Sequence, residues 1–310
     1  MVQLQIRPVD IDVVFISYDE PNAELNYADL LTKFPLAKRI HGVKGSDEAH
    51  KAAADLAETD WFVTVDGDNI VDSKFFNIEI PLIDNVSVYS WCGRNIINNL
   101  KYGNGGVKIW KKEFVRNMKT HESAESASAQ VDFCWEKGYR NFPTVFSDTV
   151  INHTPYQAWR AGFREGVKML LFQGTKVDKG QLKSQVYWHN LHRLRMWSCV
   201  GSHIDNGIYA MLGARQGSYM TYCSDWDYLD VRDFDKLLEV YNQIALPFEN
   251  SPDACVEEIK KLGKQLKINL GLNWSYFDSE QSRYITEMYD ESIALGQTYY
   301  SGDQQWKNIF

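Results

Sequence analysis

Asp66-Gly67-Asp68 carries the clearest chemistry in the sequence. The triplet closes the apolar run Trp61-Phe62-Val63-Thr64-Val65, and two carboxylates one residue apart at such a strand end can both address one divalent cation. Hard cations such as Mg2+ and Mn2+ take oxygen ligands in near-octahedral geometry, usually from few protein carboxylates plus the phosphates of a substrate. Gly67 lets the backbone turn tightly and leaves room for a bulky anion. A metal held there would neutralise charge on a diphosphate as the bond to it breaks. Plain surface turns use the same triplet, so the surrounding sequence has to decide. A calcium loop of the EF-hand type is excluded: its fifth and sixth positions, counted from Asp66, are Ile70 and Val71, where a ligand and a glycine belong.

Several basic residues are spaced to meet an anion. Lys44 and His50 flank the start of a helix whose free amides favour negative charge, with Asp47 and Glu48 in its first turn. Further on, Arg160, Arg164 and Lys168 recur every four residues, a basic stripe on a helix whose apolar stripe is Trp159, Phe163, Val167 and Leu170. Such a stripe is either a solvated face, partly balanced by Glu165, or a contact for phosphate, whether of a diphosphate or of a nucleic-acid backbone. His189, His192, Arg193 and Arg195 extend the same positive surface. The polar stretch Asn98, Asn99, Tyr102, Gly103, Asn104, Gly105 and Gly106 reads either as the lining of an acceptor site or as a hairpin turn.

The elements that must position these groups alternate in the first half. Val13-Val14-Phe15-Ile16 is a short continuous apolar run, as expected of a strand covered on both faces. Ser46 caps an expected helix to about Glu58, whose alanines at 49, 52, 53, 54 and 57 allow close approach to a sheet. Trp61 to Val65 is the next strand, and Val86 to Trp91, Val107 to Trp110 and Val145 to Ile151 are further candidates. Strands alternating with helices imply an α/β sheet, in which ligands gather at the carboxyl ends of the strands. After His153 the pattern turns helical: Ala158 to Phe172, Leu182 to Val200, Asp205 to Gln216, Phe234 to Ala245 and Ala254 to Leu266. A boundary is therefore expected near residue 155, with a catalytic part at 1–155 and a mainly helical part at 156–310 packed on it.

Three stretches in order resemble the GT-A glycosyltransferases, and most closely the family-2-like branch. Gly45-Ser46-Asp47-Glu48-Ala49-His50 through Ala57, then Asp60 to Asp68, is similar to the small-residue helix and strand that lead into a DxD motif. Gly105-Gly106-Val107-Lys108-Ile109-Trp110, followed by Asp132 to Arg140, is similar to the acceptor half, where an ED-type motif precedes a helix ending in Gly-Tyr-Arg. Val145 to Ile151 with Asn152-His153 resembles the closing strand with its terminal histidine. The resemblance covers about residues 11–155. It implies a Rossmann-like nucleotide-sugar-binding sheet, and it implies roles. Asp68 would be the main ligand of Mn2+ or Mg2+, Asp66 would contact metal or ribose, and His153 would complete the metal shell or touch the diphosphate. Asp132 would be the base that takes the acceptor proton, although Val131 stands where the family's glutamate belongs. The loop Ser17-Tyr18-Asp19-Glu20-Pro21-Asn22 falls where such enzymes hold base and ribose, Tyr18 stacking on uracil and Glu20 accepting from hydroxyls. Lys44, Asp47, Gly105, Gly106, Arg160 and Arg164 complete the expected donor site.

Composition limits the alternatives. The chain has 310 residues, a net charge of −8 and 14% aromatic side chains, enough for well-packed cores and too acidic for duplex binding by bulk charge. No apolar run is long enough to span a membrane, and the N-terminus lacks a signal-peptide pattern. Five scattered cysteines suggest free thiols in a reducing cytoplasm. The expected activity is transfer of a sugar from a nucleotide-diphosphate donor, a UDP-sugar being favoured, to an acceptor hydroxyl. A phage-type DNA glycosyltransferase acting on a hydroxymethylated pyrimidine, with modified DNA as partner, stays open beside a carbohydrate acceptor. So does a GT-A-like binding module without catalysis.

Overall fold

The computed structural model describes residues 4–103, 105–118 and 138–294. Its strands are β1 (Gln5–Ile6), β2 (Asp12–Ser17), β3 (Lys38–His41), β4 (Trp61–Asp66), β5 (Asn69–Val71), β6 (Ile80–Pro81), β7 (Val88–Asn95), β8 (Lys101–Tyr102), β9 (Val107–Lys111) and β10 (Tyr139–Thr149). Its helices are α1 (Ala23–Lys33), α2 (Ser46–Leu56), α3 (Lys112–Asn117), α4 (Pro155–Lys168), α5 (Leu182–Gln185), α6 (Trp188–Cys199), α7 (Gly207–Cys223), α8 (Phe234–Ile244), α9 (Pro252–Leu270) and α10 (Ser279–Ala294). The fold is mixed α/β, a strand-rich part followed by a helical one.

One sheet dominates, in the order β3-β2-β4-β9-β7-β10-β5, with β8 paired to β7. β2 runs parallel to β3 and β4, β9 is antiparallel to β4 and β7, β10 is parallel to β7, and β5 is antiparallel to β10. The central strands are apolar because both faces are covered. Val13, Phe15, Val63, Val65 and Ile109 pack with Phe75, Tyr89 and Trp91 on one side. Val14, Phe62 and Trp110 pack with Ala53 and Ala54 of α2 on the other. The small alanine face lets α2 lie close. Gly45 rather than Ser46 takes the capping position, with φ +95°, a conformation that glycine adopts without strain.

The helical part has its own core, centred on Trp159, Phe163 and Val167 of α4, and this core takes in Ile97, Leu100 and Ile151 from the sheet's border. Gly162 and Gly166 allow α4 to touch α7 backbone to backbone: a Cβ on Gly162 would run into the Ala210 carbonyl oxygen, and one on Gly166 into that of Ala214. Thr154 caps α4, its hydroxyl accepting from the Gln157 N–H at 3.1 Å, and Pro155 suits the first turn. α4 is therefore fixed at its start by a cap and along its length by close packing. No helix among the described residues is long and apolar enough to cross a membrane. Cys92, Cys199, Cys223 and Cys255 are free thiols, and Cys134 lies outside the described residues.

Candidate active site

Strand directions bring the candidate residues to one edge of the sheet. β2 and β4 are parallel with Ile16 opposite Asp66, so the loop from Tyr18 and the turn at Gly67 start side by side. β9 is antiparallel to β4 with Val107 opposite Val65, which brings Gly105 and Gly106 to the same edge. β10 ends there as well, Thr149 standing opposite Asn69 and Asn95, and the chain then passes through His153 into α4. Hydrogen bonds close the edge. The Asp66 N–H donates to Gly106 O at 2.8 Å, and the Val150 N–H to Asp68 O at 2.7 Å. Asn26 donates to Gly67 O at 2.9 Å. Asn22 donates to Val150 O at 2.9 Å and accepts from the Gln157 amide at 3.0 Å, tying the first loop to the start of α4.

Three carboxylates gather at this edge. Glu20 accepts from the Tyr18 N–H at 2.8 Å and lies on Gly67, where a Cβ would stand 2.7 Å from its Oε2. Any larger residue at 67 would displace Glu20. Asp68 accepts from the Asn69 side-chain amide at 2.6 Å. Burial, with the charges of Asp66 and Glu20, pushes the Asp68 carboxyl up to about 6, against the opposing pull of Asn69 and Arg160. Asp66 has an internal counter-charge, since buried Lys108 of β9 stands 3.4 Å from its Oδ2. Asp68 is thus a carboxylate whose charge burial and two neighbouring acids disfavour, and a cation there would relieve it. Among the described residues no three His, Cys, Asp or Glu side chains converge as a ready-made metal cage. A cation at Asp68 would have to take most of its shell from phosphate and water, as Mg2+ and Mn2+ commonly do.

Facing these acids are two guanidiniums from α4. Arg160 Nη1 lies 3.9 Å from Asp19 Oδ1. Arg160 and Arg164 both sit over the Phe234 ring at the start of α8, at 4.5 and 5.0 Å. The buried Arg164 Nε–H has no hydrogen-bond partner among the described residues. Burial and the neighbouring Arg160 depress the Arg164 guanidinium's pKa, while Glu165 and Asp68 act the other way. A part-buried guanidinium with an unmet Nε–H, next to a second cation, could accept an anion.

Tyr18 is 42% exposed, so its ring is available to stack on a flat ligand. Asp47 is buried in the first turn of α2. Lys44 is exposed and pairs with Asp235 of α8 at 3.1 Å, a surface contact worth little by itself. His50 does not meet a phosphate site: it is buried against Trp110, its ring hydrogen-bonds Ser46 O at 2.8 Å, and burial lowers its pKa. His153 is exposed at the sheet edge, with its backbone N–H on Gln157 Oε1 at 2.9 Å. Asp132 lies outside the described residues. Tyr102, expected in a polar loop, is instead pinned: its hydroxyl donates to Glu165 at 2.7 Å and accepts from the Trp197 indole at 2.8 Å. Sequence reasoning left Lys108 without a role. The signal was a lysine inside the apolar strand Val107-Lys108-Ile109-Trp110, which burial permits only beside an acid.

No protein-family model matches the chain, and no curated protein sequence does. Among solved structures it overlaps HddC from Yersinia pseudotuberculosis over 44% of this chain and 71% of that one, at 15% identity and a TM-score of 0.27. It also overlaps the mannosyltransferase PcManGT from Pyrobaculum calidifontis, solved in complex with GDP-Man and Mn2+, over 84% of this chain and 87% of that one, at 12% identity and a TM-score of 0.35. At these scores neither neighbour fixes a fold family or an activity.

Proposed function

We propose that the chain transfers a sugar from a nucleotide-diphosphate donor to an acceptor hydroxyl, with Mn2+ or Mg2+ at the Asp68 carboxylate. What supports the reading is a single observation: the sheet edge holds a carboxylate whose charge is disfavoured and, facing it, a pair of guanidiniums, one with an unmet donor. A sugar diphosphate with its metal needs both charges in that arrangement.

In this reading Asp68 holds the cation and His153 completes its shell or touches the diphosphate. Asp66, already shared with Lys108, faces ribose or metal. Tyr18 stacks on the base, Glu20 accepts from ribose hydroxyls, and Gly105 and Gly106 leave room at the strand start. Arg160, Arg164 and Lys44 meet the phosphates, and Asp47 borders them at the start of α2. A cation held at Asp68 would supply charge neutralisation on the departing diphosphate. Asp132 accepts the proton of the acceptor hydroxyl while the oxygen bonds to the anomeric carbon. The carbon–oxygen bond to the diphosphate breaks, its electron pair leaves with the diphosphate oxygen, and Arg160 and Arg164 receive that charge.

Release of nucleoside diphosphate from UDP- and GDP-sugars, with Mn2+ or with chelator, tests the reading. Metal-dependent release from one donor, slowed by Asp132→Asn while donor binding persists, is the expected result. Donor binding without release, with every acceptor class offered, would make the chain a binding module.

A further inference from the structure

A groove of about 540 Å3 opens on the helical part, lined by none of the donor residues; Lys183, Trp188, His192, Arg195, Gly271 and Trp274 are among those lining it. One wall is a single face of α6, on which Trp188, Leu191, His192 and Arg195 recur at helical spacing. The other is the chain leaving α9. Gly271 takes φ +67° there, and the Lys183 ammonium passes 3.7 Å from where a Cβ would stand.

The lining combines flat aromatic surface with positive charge. Trp188 is 48% exposed and the adjacent Tyr187 39%, while Trp274 closes the wall from the core and is itself buried. From Lys179 to Ile204 the chain contains no Asp or Glu, although its net charge is −8. Burial, with Arg195 and Arg193, pushes His192 down to about 4, so its ring is neutral and Lys183 and Arg195 carry the charge. The lining side chains include no carboxylate to accept from the hydroxyls of a neutral sugar. A purely apolar ligand would not call for the cations.

We propose that this groove binds single-stranded nucleic acid, with a base against Trp188 and phosphates against Lys183 and Arg195. Aromatic faces inside a basic groove are how unpaired strands are held, because every base offers a face to stack. A duplex hides those faces. The opposite side of α6 carries Arg193, over the Tyr102 ring at 4.5 Å, and Trp197, which donates to the Tyr102 hydroxyl. A strand in the groove therefore lies about one helix diameter, roughly 10 Å, from the β8 turn. The proposal rests on no part of the donor reading.

The test is fluorescence anisotropy of a labelled, mixed-sequence single-stranded DNA oligonucleotide titrated with the full chain over a series of salt concentrations. Binding that weakens with salt is expected, with Trp188→Ala lowering affinity roughly tenfold and Lys183→Gln with Arg195→Gln flattening the salt dependence. Trp188 is half exposed, so Trp188→Ala leaves the circular dichroism and nucleotide-sugar binding unchanged, which separates this site from the donor edge. Absence of binding at low salt would overturn the proposal. So would affinity indifferent to Trp188→Ala, or equal competition by dextran sulfate, which has charge without bases.

Discussion

Arg164→Met should change stability and ligand affinity in opposite directions. The buried Nε–H of Arg164 lacks a hydrogen-bond partner among the described residues, and burial disfavours the charge it carries. An unmet buried donor costs about 1–3 kcal/mol. The contact with the Phe234 ring at 5.0 Å returns about 0.5–1 kcal/mol. Methionine keeps the apolar stem and removes the unmet donor and the repulsion from Arg160, against the lost attraction to Glu165 and Asp68. The ligand-free variant should therefore be more stable by up to about 2 kcal/mol, a rise of a few degrees in Tm. The donor loses a charge-assisted contact to phosphate worth about 1.5–3 kcal/mol, or roughly 10- to 150-fold in Kd. Calorimetric unfolding of the free chains and titration with nucleotide sugar in Mn2+ give the two numbers. If Arg164→Met destabilises the free chain and leaves donor affinity intact, Arg164 is a structural brace and the anion-site argument fails.

Other perturbations test the supports of the site. Tyr102→Phe removes the acceptor of the Trp197 indole and a donor to Glu165, and should lower the urea-unfolding free energy by about 2–4 kcal/mol. Burial alone would raise the Glu165 carboxyl, but Lys168, Tyr102 and Arg164 outweigh it and hold its folded pKa below the ordinary glutamate value. Its stabilisation is therefore present above that ordinary value and lost as pH falls through the lowered one, so wild type and Glu165→Gln should converge in stability on acidification. Gly162→Val drives a side chain into the Ala210 carbonyl; it should cost about 1–3 kcal/mol and weaken donor binding by shifting Arg160 and Arg164, read by thermal unfolding and calorimetry.

Continuous apolar runs made β2, β4 and β9 readable, and the Asp66–Asp68 turn with them. β3 was not readable, because Lys38-Arg39-Ile40-His41 lies at the sheet's edge and its side chains are only partly covered. β10 starts at Tyr139, well before the expected Val145, since register shifts around Phe142, Val145 and Ser147 and the proline at 143 break its alternation. Of the Gly-Tyr-Arg expected to end a helix, Gly138 takes φ +94° and Tyr139 and Arg140 open β10, while the residues before Gly138 lie outside the described ones. The stretch Leu182 to Val200, expected as one helix, divides into α5 and α6 where Val186 and Tyr187 turn extended. At the site, the four-residue spacing of Arg160 and Arg164 was visible in sequence. Their shared contact with Phe234 was not, because only tertiary packing brings α8 to that position.

The most direct measurement is calorimetric titration of UDP, GDP and their sugars into wild type and Asp68→Ala, with and without Mn2+. The account predicts manganese-dependent binding of one nucleotide by wild type and its loss in Asp68→Ala. Absence of binding by any of them in either metal condition, or equal manganese-dependent binding by both proteins, would contradict the assignment of the Asp68 edge as a nucleotide-sugar site.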